Sequence, residues 1–417
     1  MTMNRRDFIK YAGMGLALSA VPGVRLFAAE AEYIGKLFMT IRAGGGWDQT
    51  LFCDPKINVP GEKKITHWSD LEDMGNIGNL TFAPFGGTPA FYERHYKKML
   101  VVNGINTRRN AHKGAALKMN TGDQGGYPSV SAMFAAVHGD NLLLPWLADG
   151  GHGLGIATRN RVTSDASITS LISPNHQDLG ADLKSIHTDE LNQLRSFVAD
   201  ETRLLTSETT LPRAEAAIRQ FGLSVKDDPR LELLGQYLTS IDYADFPKNK
   251  QTEKVAFSMA CFAAGLSVSA EFSSAGFDTH NRNDLRQNAS LNTLYSQVDF
   301  AWHLAEQWGL DDRFILQLET DFGRTPYYNG ADGKDHWSVG SKVIMEKNAS
   351  YTNRMVGGTD EGLKALRFDP VTLEPLQNGT QIEPKHIVHA LREHLGVNTP
   401  ELANRFDLNV PLMPFFL

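Results

Sequence analysis

An apolar run, Phe314 to Leu318, ends in Glu319, Thr320 and Asp321, and a turn carrying Gly323, Arg324 and Pro326 follows. A Gly-rich loop then leads to Asp335-His336. No other stretch of the 417 residues constrains the fold as strongly. A buried strand that presents carboxylates at its C-terminal end belongs to an open α/β sheet, where ligands collect outside the carboxyl ends of the strands. A histidine returning beside those carboxylates is a common way to build a metal site.

The same rhythm recurs along the chain. Lys36 to Ile41 reads as a strand that exits into Gly44-Gly45-Gly46-Trp47-Asp48, and Met99 to Asn103 as a second strand leading to His112. Leu266 to Phe272 is a strand exiting through Gly276-Phe277-Asp278-Thr279-His280, and a helix over Asn288–Trp308 joins it to the opening strand. Strand, helix, strand at this spacing predicts a doubly wound, mostly parallel sheet flanked by helices. Further strands are expected at Leu154–Ala157 and Ser341–Met345. Helices are expected at Phe91–Lys98, Val130–Val137 and Glu253–Leu266, and from Pro384 to the stop at Gly396. Residues 54–87, rich in Pro, Gly, Asn and charge, read as a loop or lid. Residues 183–245 read as a helical excursion packed against the core.

The N-terminus carries a different instruction. Asn4-Arg5-Arg6-Asp7-Phe8-Ile9-Lys10 has the pattern of a twin-arginine export signal. The weakly apolar stretch after it is short for a membrane span, which needs about 20 residues. Ala29-Glu30-Ala31 offers small residues for cleavage, so residues 1–31 are expected to be removed and 32–417 to form one α/β domain without a stable span. That places the protein in the periplasm or outside the cell, delivered by the twin-arginine export machinery. A net charge of −7, without a basic patch, argues against a nucleic-acid partner. Cys53 and Cys261 fit no zinc spacing, and a bridge between them is left open.

Asp48, Asp278, His280 and Asp321 thus sit at strand exits, with Asp335 and His336 in the loop beyond. Asp278 and His280, two apart, point to one side of an extended chain. Asp335 and His336 are adjacent, and only a loop lets both serve. Carboxylate oxygen with imidazole nitrogen suits zinc, manganese or iron better than calcium. Taken singly, Asp48 also suits a helix cap and Asp335 a turn.

These blocks resemble a known group. GFDTH, a helix, an apolar strand, TDFGRTP and a downstream DH are similar to the exported domain-of-unknown-function family 1501, itself similar to the alkaline phosphatase and sulfatase superfamily. The resemblance runs from KLFMTIRAGGGWD to the last helix. It implies an alkaline-phosphatase-like α/β fold whose strand ends hold two divalent metals, zinc or manganese, that clamp an anionic ester. By matching, Asp278, His280 and His336 would hold one ion, and Asp48 and Asp321 the other, with Asp335 assisting. Asp321 stands where the family usually has Glu. Arg324 would face an anionic substrate, a structural salt bridge being the alternative.

The nucleophile is the gap. The family usually places Ser before the histidine after the second strand, and here the pair is Ala111-His112. Thr107 is the nearest hydroxyl, and His112 is a candidate ligand or general acid. Cys53-Asp54-Pro55-Lys56-Ile57 lacks the arginine that a formylglycine sulfatase requires, which excludes that activity. No GxSxG elbow, Walker loop or HExxH is present. Two expectations follow. The first is an exported metal-dependent hydrolase of phosphate or related anionic esters, glycan esters included. The second is a non-catalytic member of the same fold, acting in cell-envelope binding or assembly.

Overall fold

The computed structural model describes residues 33–417, apart from 124, 151, 158, 161–187, 212–213, 216, 219–220 and 223–227. The expected export signal at 1–31 lies outside the described residues.

Among the described residues eight strands form the central sheet: β1 (Leu37–Gly44), β2 (Met99–Asn106), β3 (Trp146–Ala148), β4 (Arg159–Asn160), β5 (Ser269–Ala275), β6 (Phe314–Thr320), β7 (Val339–Glu346) and β8 (Arg354–Gly357). Their order is β8-β2-β7-β6-β1-β5-β3-β4. All neighbours pair in parallel except β7, which runs antiparallel between β2 and β6. The expected mostly parallel α/β sheet is what the chain forms. β1 reads as a continuous apolar run because both its faces are covered. Phe38 meets Phe134 of the helix Val130–His138 on one side. On the other, Phe314 of the neighbouring β6 meets Trp302 of the helix Asn283–Gln307 edge-on, 5.1 Å between centroids. Fully burying an aromatic side chain of this kind stabilises the fold by roughly 2–3 kcal/mol.

One expectation needs correction, one strand is longer than expected and one helix was not foreseen. Leu154–Ala157 forms a turn, with Leu154 at φ 48 and no strand pairing. Ile156 and Ala157 instead pack on a small cluster of Ala132, Ala135, Trp146 and Ala148, so their apolar character reports packing and not a ladder. The strand expected at Ser341–Met345 extends to Val339–Glu346 and is the antiparallel member. A helix at His112–Thr121 was not expected, because Gly114 interrupts its pattern and one buried residue is the polar Asn120.

Within residues 183–245, helices span Thr188–Glu208 and Pro229–Thr239. The second packs on the helix Lys250–Ala263 and buries Leu234. The first leaves Leu194, Phe197, Leu204 and Leu205 about half exposed, which does not match a face packed against the core. Residues 54–87 carry a short hairpin, Gly75–Ile77 with Leu80–Phe82. Among the described residues no helix is long and apolar enough to cross a membrane. Cys53 and Cys261 are free and buried, and burial pushes both thiols up.

Candidate metal centre

In parallel register Ala43 pairs with Thr320 and Gly44 with Ala275, so β1, β5 and β6 end at one level. Their exit loops therefore emerge side by side. β7 enters from the same end because it runs the other way, and that brings His336, three residues before its start, to the ends of its neighbours. His112 arrives on the first turn of the helix that follows β2. Gly45 has to be glycine here: its φ is +116, and an added Cβ would lie 2.4 Å from the backbone N of Asp278.

Three histidines meet the carboxylate of Asp278. His336 Nδ1 lies 2.7 Å from the Asn110 carbonyl, which can only accept, so Nδ1 carries the proton. His280 Nδ1 is 2.7 Å from Asp335 Oδ1, and His112 Nδ1 is 2.9 Å from Asp321 Oδ2. Both carboxylates assign the ring proton the same way. With Nδ1 held on the outer side of each ring, Nε2 is the nitrogen turned inward. His280 Nε2 lies 3.0 Å from His336 Nε2 and 3.1 Å from Asp278 Oδ1. His336 Nε2 is 3.3 Å from Asp278 Oδ1, and His112 Nε2 is 3.5 Å from Asp278 Oδ2. His112 Nε2 is shielded from solvent and has no hydrogen-bond partner.

Unprotonated, these Nε2 atoms would offer their lone pairs to one shared cation. Nitrogens held by Nδ1–H bonds to carboxylates or carbonyls are the arrangement that prepares imidazole for a metal. His112, Asp278 and His336 can offer one ligand atom each within 4.8 Å of one another, and His280 closes the group from the open side. The residues fit a divalent ion of the zinc or manganese type. Phe322 packs against the rings of His112 and His336 and forms an apolar floor. Solvent reaches the opposite side, where the Asp278 and His280 side chains are 49% and 45% exposed. Burial acts to raise the Asp278 carboxyl pKa, but the hydrogen bond and charge of Arg324 work against it and hold it below the usual carboxylate range.

The remaining candidates are placed differently. Asp321 and Asp335 orient histidines, and Asp321 also accepts from the Gly45 N–H at 3.0 Å. Asp48 is fully buried and accepts from Thr50, Asn283 and Lys334, which sets it apart from the histidine group. Arg324 is buried too. Its guanidinium donates to the Gly45, Gly46 and Lys334 carbonyls and, at 2.7 Å, to Asp278 Oδ1. That is the salt-bridge alternative, a brace behind Asp278 in place of a substrate contact. The Thr107 hydroxyl is buried, shares its one proton between the Arg109 and Ser338 carbonyls and accepts from the Arg109 N–H, and those bonds hold it as a turn element.

Lys334, Asn110 and Phe322 were not singled out by the sequence. A lysine beside Asp335-His336 was the one visible signal, since its burial could not be foreseen from a Gly-rich loop.

No family model and no curated protein sequence matches the chain. Among solved structures it is similar to alkaline phosphatase-like and sulfatase-like folds. The alkaline phosphatase from the Antarctic bacterium TAB5 matches with TM-score 0.36 and 9% identity, over 88% of this chain and 99% of that one. A protein solved with its substrate D-glucosamine-2-N,6-O-disulfate matches with TM-score 0.37 and 9% identity, over 92% and 80%. A putative sulfatase from Bacteroides thetaiotaomicron matches with TM-score 0.31 and 6% identity, over 88% and 72%. The likeness is a distant one.

Proposed function

We propose that the protein is an exported metal-dependent hydrolase of phosphate or related anionic esters. The observation that carries the reading is the convergence of the Nε2 atoms of His112, His280 and His336 on Asp278, each ring proton being held on the far side. A divalent ion held there supplies Lewis acidity toward an ester oxygen. Asp321, Asp335 and the Asn110 carbonyl keep the imidazoles in the binding tautomer, and Arg324 keeps Asp278 aimed. Arg109 and Lys113 are exposed and close in sequence to His112, whereas Arg108 pairs with Glu383, and positive charge near the histidine favours an anionic substrate.

Export through the twin-arginine machinery rests on residues 4–10, and membership of the domain-of-unknown-function family 1501 on the GFDTH and DFGRTP blocks. One observation favours the second reading, a non-catalytic envelope-binding protein: position 111 is Ala, and the Thr107 hydroxyl is already committed to two carbonyls. The test is a screen of the zinc-loaded and manganese-loaded protein against phosphomonoesters, phosphodiesters and sulfate esters. Turnover lost in His280→Ala is the expected result. Bound metal without turnover on any ester would favour the binding protein.

A further inference from the structure

Resemblance to two-metal hydrolases implies a second ion on Asp48 and Asp321, and the structure does not fit it. Asp48 Oδ1 accepts from the Thr50 N–H at 3.0 Å and from the Thr50 hydroxyl at 2.7 Å. Asp48 Oδ2 accepts from Asn283 Nδ2 at 2.9 Å and from the Lys334 ammonium at 2.8 Å. Both side chains of the ion pair are wholly buried. Lys334 Nζ also donates to the Thr50 hydroxyl at 3.0 Å and lies 4.9 Å from the Tyr328 ring centroid, against its face. The ammonium thus stands on the carboxylate that a second ion would need, with oxygen neighbours and an aromatic face of the kind a small cation prefers.

Arg324 is a second buried cation nearby, donating to the Gly46 and Gly45 carbonyls and to Asp278 Oδ1.

We infer that the centre takes one divalent cation, at His112, Asp278, His280 and His336, and that the Lys334 ammonium is a built-in cation in place of a second. This rests on the metal reading above and concerns the number of ions. A single-ion site lacks the symmetric clamp on attacking and leaving oxygens that paired metals provide. Asp48 and Lys334 then hold the Gly45–Thr50 loop in place as positioning residues.

The test strips the full-length protein with a chelator, titrates it with zinc and separately with manganese, and reads ions per chain by native mass spectrometry. One ion per chain is expected, with the same count and a dissociation constant within about threefold in Asp48→Asn. Two ions per chain in the wild-type protein would overturn the inference and leave the metal centre standing. No bound ion at either titration would overturn the metal reading itself. In Lys334→Met, folded by circular dichroism, a second and at least tenfold weaker ion is expected on the freed Asp48. One ion in that folded variant would remove the role given to Lys334. The wild-type count decides the number of ions by itself if Lys334→Met does not fold.

Discussion

Two charged clusters share the sheet and differ in whether their charges are matched within the protein. The upper one, at the strand ends, holds Asp278 and its three histidines, partly open to solvent, with Nε2 atoms facing each other. The lower one lies on the face covered by the helix His112–Thr121 and holds Arg42, Glu271, Glu319, Lys342 and Asn120. There each charge has an opposite partner: Lys342 to Glu319 at 3.0 Å, Arg42 to Glu271 at 2.8 Å and to Glu319 at 3.2 Å. Glu319 and Asp321 are two residues apart, yet the first is locked to a lysine and the second steers a histidine. The lower cluster is complete without a ligand and serves the fold. In the upper one the donors are left over, and that surplus marks the site.

The comparison is broken most forcefully from below. Lys342→Ala leaves buried Glu319 with Arg42 as its charged partner, beside the Asn120 and Gln317 amides, and truncating one member of a buried pair costs about 3–5 kcal/mol. Urea denaturation should show that loss with metal affinity unchanged, and an equal fall in metal affinity would join the two clusters into one unit.

A third charged group, at the opposite end of β7, tests matched charge by pH. Burial works to raise the Glu346 carboxyl, but hydrogen bonds from His394 and Tyr351, with the charge of Lys36, hold it at about 2. The folded value lies below the unfolded one, so its stabilisation is present above the unfolded pKa and is lost as pH falls through the folded one. The loss should reach at most about 3 kcal/mol between roughly pH 5 and 2. Glu346→Gln should flatten that acid limb in denaturation curves taken across the range, and an unchanged limb would refute the assignment.

From above, the effects should move to the ligand. His280→Ala should weaken zinc binding by roughly 100-fold in isothermal titration while changing the stability of the metal-free chain by no more than about 0.5 kcal/mol, since the ring is half exposed. A large loss of metal-free stability would mean that the upper cluster is structural after all. Smallest is Asp335→Asn, which keeps the shape but weakens the grip on His280 Nδ1. A drop in metal affinity of about tenfold is expected, as for other partners of metal-binding histidines. No change would place Asp335 outside the centre's support.

Much of this could be read along the chain. The alternation of apolar runs with helical stretches announced the parallel sheet, and GFDTH and TDFGRTP announced which exits carry carboxylates and a histidine, because strand ends and glycine turns are local features. His112 was in view but without a settled role. Asp48, Arg324 and Thr107 looked available because a sequence shows functional groups and does not show what those groups already hold. Asp48 holds Lys334, Arg324 holds the glycine loop and Asp278, and Thr107 holds two carbonyls.

The stretch Phe314 to Trp337 therefore determined by itself that carboxylates and a histidine would gather at a strand end. The period of the apolar residues and the turn chemistry after Asp321 act over a few residues and need no partner. Tertiary structure decided which of those carboxylates stay free. The antiparallel course of β7 delivers His336 beside His280, the buried Lys334 takes up Asp48, which the sequence offered as a ligand, and Arg324 braces Asp278. Whether a charge is available depends on what lies within about 3 Å of it once the chain is packed, and here residues as far apart as 48 and 334 supply that neighbour.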